Sequence, residues 1–279
     1  MGKSGEKHFT LGKKMNRVQV SCLGEKGRFG NQLSQYVFAR SYADKYNCML
    51  EIPSDWPGWK AFEIEKDRGV RPIEEPLPQT EEDNINFGDV NIDLNGYFQH
   101  QRFVDIMDIK KVKKWLTFNT KLTNSFIKPK DFYVACHLRH GDKVNISGHC
   151  TISQACYVNT CIEKGYNQED IVIVSESHTN RPRSMVVVNE KPRENNWDFL
   201  YDFFAIMNAN VLFRSNSTFS FWAGVLGNHE KIYSPVVQGK NGQHMICVDF
   251  VEGNHACLMQ KDDNHSDLYL GEINEKENA

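Results

Sequence analysis

Phe132-Tyr133-Val134-Ala135-Cys136-His137-Leu138-Arg139-His140-Gly141-Asp142 is the stretch that decides the architecture. Its first part, Phe132–Leu138, reads as a strand, apolar from Phe132 to Cys136 without polar alternation. Such a run fits a strand covered on both faces, as in a parallel sheet. Its second part turns abruptly polar, where the carboxyl end of that strand opens on a cleft. In open α/β sheets ligands sit at that end.

The same grammar repeats on both sides of this run. Upstream, Arg17–Leu23 reads as a strand, Gly30–Tyr46 as a helix and Cys48–Ile52 as a second strand. Residues 53–88 are proline-rich and acidic and read as a long irregular excursion on the substrate side. Asn91–Phe98 follows as a strand and Val104–Leu116 as a helix. Downstream, Ile152–Lys164 is helical, Ile171–Ser175 is a strand of β-branched residues, and Met185–Val188 is a further candidate strand. Asn196–Met207 reads as a helix, Val211–Phe213 as a strand, Thr218–Leu226 as a helix and Lys231–Tyr233 as a strand. Strand–helix alternation of this kind predicts the α/β class with parallel sheets. Two rounds of it predict two Rossmann-like domains, 1–125 and 126–260, facing a cleft, with 261–279 a polar acidic tail.

Composition narrows the function. The chain has 279 residues, 40% hydrophobic and 25% charged, with net charge −3. These are the values of a globular protein with a sizeable core. No global positive field exists to hold a nucleic-acid backbone, so nucleic acid is not an expected partner. No apolar run reaches the ~20 residues of a membrane span. Met1–Asn16 is polar and Lys-rich, without the apolar segment of a signal peptide, and Glu6 stands where myristoylation needs Ser or Thr. A soluble cytoplasmic protein is the expectation, with a trimmed Golgi-type anchor as the alternative. The eight cysteines (22, 48, 136, 150, 156, 161, 247 and 257) contain no Cys-x-x-Cys and no zinc-ligand spacing. Reduced structural thiols are the first reading and a disulfide set the second. Sequons at Asn145, Asn216 and Asn264 matter only in a secreted setting.

Three segments at strand-to-helix junctions carry chemistry. In Gly27-Arg28-Phe29-Gly30-Asn31-Gln32 the glycines permit a tight turn, and a helix N-terminus presents free N–H groups. Asn31 and Gln32 add neutral donors. The run suits a diphosphate or sugar, and equally a plain turn capped by Asn. In the second segment Arg139 offers the planar fork that clamps a phosphate, which matters most when a diphosphate leaves. Asp142 is placed to orient that Arg or to act as a base, while His137 and His140 are donors. His137 alone also reads as a satisfied core histidine. In Ser215-Asn216-Ser217-Thr218-Phe219-Ser220-Phe221-Trp222, Ser217 or Thr218 fits an N-cap, and the same N–H groups can receive phosphate oxygens. Its aromatic residues read as core.

Together these segments resemble the motif series of the family 11 glycosyltransferases, which are α-1,2-fucosyltransferases. A fourth match is Gly96-Tyr97-Phe98-Gln99, with Phe103 following. The first two motifs are also similar to those of protein O-fucosyltransferases in the same wider superfamily. The order and spacing span roughly residues 18–230. The resemblance implies a GT-B fold of two Rossmann-like domains, inversion at the anomeric carbon, GDP-fucose as donor substrate, and no metal or other cofactor. It implies Arg139 as the diphosphate-binding group; Asp142, whose loop is at the cleft, is the second catalytic candidate. Gly27, Arg28, Gly30, Asn31, Gln32, His137, His140, Ser175, Glu176, Ser215, Asn216, Ser217, Thr218 and Phe219 would surround the donor, and Asp93, Tyr97 and Gln99 the carbohydrate acceptor. The sequence departs from the family at Arg139-His140, where two adjacent arginines are usual. A relative that uses a UDP-sugar such as UDP-xylose therefore fits as well, and a non-catalytic nucleotide-sugar or glycan-binding protein is the reading from another class. For the acceptor base, Asp142, Glu25 and Asp93 are the candidates.

Overall fold

The computed structural model describes residues 16–64, 73, 76–80, 83, 91–99, 101–139, 151–175, 199–240, 243–255 and 258–259. The first part of the chain runs β1 (Arg17–Gln19), α1 (Phe29–Tyr46), β2 (Met49–Glu51), α2 (Gly58–Ala61), β3 (Leu77–Gln79), β4 (Ile92–Leu94), α3 (Gln101–Val104), α4 (Ile109–Trp115) and α5 (Thr120–Asn124). The second runs β5 (Val134–Leu138), α6 (Gln154–Glu163), β6 (Ile171–Ser175), α7 (Phe199–Met207), β7 (Val211–Phe213), α8 (Thr218–Leu226), β8 (Lys231–Lys240), β9 (Gln243–Glu252) and β10 (Leu258–Met259). The expected Met185–Val188 strand and the tail from 261 lie outside the described residues.

Two sheets result. The first has the order β2-β1-β4-β3, all parallel. The second has the order β10-β8-β7-β5-β6, also parallel, with β9 antiparallel to β8. This is the α/β class that the alternation predicts. In each sheet the strand order reverses beside one strand. β1 is flanked by β2 and β4, and β5 is flanked by β6 and β7. Connections leave these strands toward opposite sides, which opens a crevice at their carboxyl ends.

Local chemistry sets the element ends. β5 and β6 are buried at every position, which explains their lack of polar alternation. α1 stops where Asn47 takes a left-handed conformation and its N–H bonds Ala43 O. Several expectations are corrected. β1 ends at Gln19 because the chain turns, with Leu23 N–H bonding Val20 O and Lys26 N–H bonding Cys22 O. The helix expected over 104–116 is two helices, because the Asp108 carboxylate accepts from Lys110 N and Lys111 N and starts a new one. Inside the expected excursion 53–88, Leu77–Gln79 pairs with β4 as an edge strand. β8 continues past Pro235 to Lys240 and forms a hairpin with β9, with irregular register at Val236/Val237 and Gln238/Lys240.

The two sheets do not have wholly separate cores. One cluster joins Leu33, Tyr36 and Val37 of α1 to Phe203 of α7 and to Phe221 and Trp222 of α8. The smaller one lies between β5, β6, β7 and α6. Trp222 Nε1 donates to Ser34 Oγ at 2.9 Å across the α1–α8 contact. Phe29 packs edge-on to Phe203, with ring centroids 5.3 Å apart. The approach is closest at Gly30, where a Cβ would lie 2.6 Å from Phe219 N and 2.7 Å from Thr218 C. Both obstacles are backbone, so a side chain there forces the helices apart. Gly30→Ala is therefore expected to lower stability by about 1–3 kcal/mol. Urea unfolding followed by tryptophan fluorescence checks this, and an unchanged midpoint contradicts the close approach.

Candidate functional site

The carboxyl end of β5 brings the second and third segments together. Strand alternation turns His137 to the α8 side, where its ring lies 5.5 Å from that of Phe219. His137 Nδ1 and Ser215 Oγ, at the end of β7, are 2.7 Å apart. On the backbone side, Tyr157 of α6 donates its hydroxyl to His137 O at 2.8 Å, with Arg214 O at 3.2 Å. These bonds tie the ends of β5 and β7. Arg139 follows at the strand's end and is only 7% exposed. Ser175, opposite Leu138 at the end of β6, is buried beside it.

The first segment meets the third from the other sheet. Gly27 has φ of +79°, the left-handed region that glycine adopts without strain, and a Cβ there would strike Asn31 and Tyr97. Arg28 is exposed and forms the N-terminal boundary of α1. Asn31 Oδ1 accepts from Thr218 Oγ1 at 2.7 Å and from Gln99 Nε2 at 3.0 Å. Its carbonyl is thus engaged, and the Nδ2 donors are what Asn31 can offer a ligand. Ser217 caps α8 by accepting from Phe219 N at 3.3 Å. Its hydroxyl hydrogen remains to be donated elsewhere. Asn216 is half-buried between these groups.

Other expected residues have different surroundings. Gln32 is a brace, since Nε2 donates to Gly27 O at 3.1 Å and Oε1 accepts from Trp56 Nε1 at 3.1 Å. Asp93 Oδ1 accepts from Ser21 N at 2.9 Å. Tyr97 is 37% exposed, and Lys26 Nζ lies 5.0 Å from its ring centre. Glu25 is exposed. His140, Asp142 and Glu176 lie outside the described residues. Among the described residues no group of three His, Cys, Asp or Glu is placed to hold a metal, and no helix is long and apolar enough to cross a membrane.

The sequence reading missed Arg214 and Tyr157. Arg214 directly precedes the third segment, and that adjacency was its signal. It is fully buried, with its guanidinium 5.0 Å from the Phe221 ring centre and bonded to Ser234 Oγ (3.3 Å) and to His255 O. Nothing local distinguishes Tyr157, because its role depends on two carbonyls in different strands.

The electrostatics follow. Burial, then Arg214, then Arg28 hold the His137 pKa down to about 3. His137 is therefore a neutral hydrogen-bonding group near neutral pH, not a cation. With Arg139 and two helix N-termini nearby, the floor of the crevice suits an anion with several oxygens.

No family model matches the sequence, and no curated protein matches it either. Solved structures do match in shape. The α-1,6-fucosyltransferase NodZ soaked with GDP-fucose is 13% identical at a TM-score of 0.50, covering 86% of this chain and 99% of that one. The selenomethionine form of fucosyltransferase NodZ from Bradyrhizobium is 12% identical at a TM-score of 0.50, covering 86% and 98%. POFUT1 in complex with GDP-fucose is 14% identical at 0.44, covering 90% and 99%. At this identity the likeness to NodZ is one of fold, a GT-B-like arrangement of two parallel α/β sheets.

The depressed pKa of His137 fixes the sign of a pH effect. The folded pKa lies below the unfolded value near 6.5, so the unfolded chain takes up the proton first. The neutral form's contribution is intact above pH 6.5 and is lost as pH falls from 6.5 toward 3. The loss from this group approaches ~1.4 kcal/mol per pH unit, and His229, also lowered by burial, adds to it with the same sign. NMR of the imidazole is expected to show His137 neutral from pH 8 to pH 5. Titration of His137 near pH 6.5 in the folded protein contradicts the assignment.

Proposed function

We propose that this protein is an inverting glycosyltransferase. It moves a sugar, L-fucose from GDP-fucose, onto a carbohydrate hydroxyl without a metal. The observation that carries the reading is Arg139, buried at the carboxyl end of β5, where the strand order reverses, with Ser215 at the end of the adjoining strand. Two further supports are the four-motif resemblance and the fold shared with a fucosyltransferase that was soaked with GDP-fucose.

In this reading residues 126–260 hold the donor and 1–125 the acceptor. Arg139 grips the diphosphate, assisted by N–H groups at the starts of α1 and α8 and by Ser217. The acceptor hydroxyl attacks the anomeric carbon from the opposite face. Positive charge develops on the sugar ring while negative charge collects on the departing diphosphate, as in other glycosyl transfers. A fixed guanidinium is worth most at that moment. Asp142 is the proposed base. Asp93 is less suited, because one carboxylate oxygen already accepts from Ser21 N. Tyr97 and Gln99, exposed and half-buried at the carboxyl side of β4, line the acceptor approach.

His140 in place of a second arginine keeps a donor-switched enzyme as the second reading. Calorimetric titration with GDP and with UDP, each in EDTA, separates the two. GDP binding in EDTA with at least tenfold preference over UDP is expected. A UDP preference overturns the fucose assignment and retains the crevice. Arg139→Ala is expected to reduce transfer from GDP-fucose by about 10²–10³-fold, with unchanged circular dichroism. Arg139→Lys keeps the charge but loses the fork, and is expected to recover only part of that loss. Near wild-type turnover in Arg139→Ala refutes the clamp.

A further inference from the structure

Cys136 of β5 and Cys161 of α6 face each other in the smaller core. Their Sγ atoms are 3.5 Å apart, and both residues are fully buried. A disulfide needs about 2.05 Å, so a small movement of the two side chains closes the gap. Three of the four other described thiols are engaged differently. Cys22, Cys48 and Cys247 direct their Sγ to the carbonyls of Leu94, Tyr46 and Asp249.

We propose that Cys136 and Cys161 are an oxidation site, forming a disulfide when the chain folds in the presence of a small-molecule disulfide. In the exchange, one cysteine thiolate attacks the reagent's sulfur, forms a mixed disulfide and releases one reduced thiol. The second cysteine thiolate then displaces the remaining half. Two protein S–H bonds are lost, one protein S–S bond forms, and the reagent is reduced to two thiols.

The native geometry decides when this happens. Both sulfurs are shielded, and burial beside Cys161 raises the Cys136 pKa well above the usual thiol value, which disfavours the attacking thiolate. Oxidation therefore belongs to folding, before α6 docks on β5, and the folded dithiol resists the same reagent.

The position gives the bond a consequence. Cys136 shares its face of β5 with Val134 and Leu138, against Tyr157 and Cys161. His137 points to the opposite face, toward Phe219. A bond here pins α6 to β5 without entering the crevice. It also closes a covalent ring from 136 to 161 that carries Arg139, Gly141 and Asp142. This inference is independent of the sugar transferred.

The test is to refold the protein in a mixture of oxidised and reduced glutathione, quench it with acid, alkylate it in denaturant, digest it and map disulfides by mass spectrometry. A dithiothreitol-sensitive peptide pair joining Cys136 to Cys161 is expected. The oxidised protein should melt roughly 5–10 °C above the reduced one, and Cys161→Ala should lose that increment. If Cys161→Ala fails to fold, peptide mapping of the wild type alone decides. Both thiols alkylated after oxidative refolding, or either cysteine joined to a different partner, overturns the proposal.

Discussion

The arrangement depends on how closely α1 and α8 approach. Gly30 lets the backbone of α1 lie against the first residues of α8, where a Cβ would fall 2.6 Å from Phe219 N. Each helix is the next element after a strand, β1 in one sheet and β7 in the other. Bringing them together therefore joins the two sheets and places two helix N-termini side by side. Apolar burial makes the contact favourable, through Phe29, Phe203, Phe221 and Trp222. The Trp222–Ser34 hydrogen bond prevents the buried indole N–H from going unpaired. The Asn31–Thr218 bond at the rim then follows from a packing decision made one turn deeper.

The second constraint is charge. Arg139 and Arg214 are both buried near the carboxyl ends of β5 and β7. Burying a guanidinium is costly unless its donors are met. Arg214 directs Nη1 to Ser234 Oγ and the carbonyl of His255, and its guanidinium lies over the face of Phe221. His137 stays neutral chiefly because it is buried, with Arg214 and then Arg28 disfavouring a further cation. The same positive charge favours an anion in the crevice. Neutral His137 then serves as a geometric link between β5 and Ser215, unaffected by modest changes in pH.

Much of the second sheet was legible in one dimension. Ile171–Ser175, Val211–Phe213 and Thr218–Leu226 have the boundaries that their apolar runs and flanking polar residues predict. Buried parallel strands are short and uniformly apolar, and a capping serine marks the start of α8. Legibility failed where a side chain or a distant partner overrides the local pattern. Asp108 splits an apparently continuous helical period by capping from inside it. Leu77–Gln79 is a strand only because β4 lies beside it. The strand expected over Lys231–Tyr233 runs on through Pro235 to Lys240 because β9 pairs beside it, with register shifts at Val236/Val237 and Gln238/Lys240.

The sequence alone determined the class of fold and the three segments around the crevice, since periodicity, glycine placement and the position of Arg139 after an apolar run are local properties. It did not determine what each side chain does there. Gln32 reads as a ligand donor but braces a turn, because Trp56 and Gly27 O reach it. Asn31 presents its Nδ2 because Thr218, 187 residues away, takes its oxygen. Arg214 and Tyr157 have no motif of their own and matter through carbonyls, hydroxyls and a ring on other elements. Hydrogen-bond partnership and burial are set by neighbours in space, and only the packed chain brings those neighbours together.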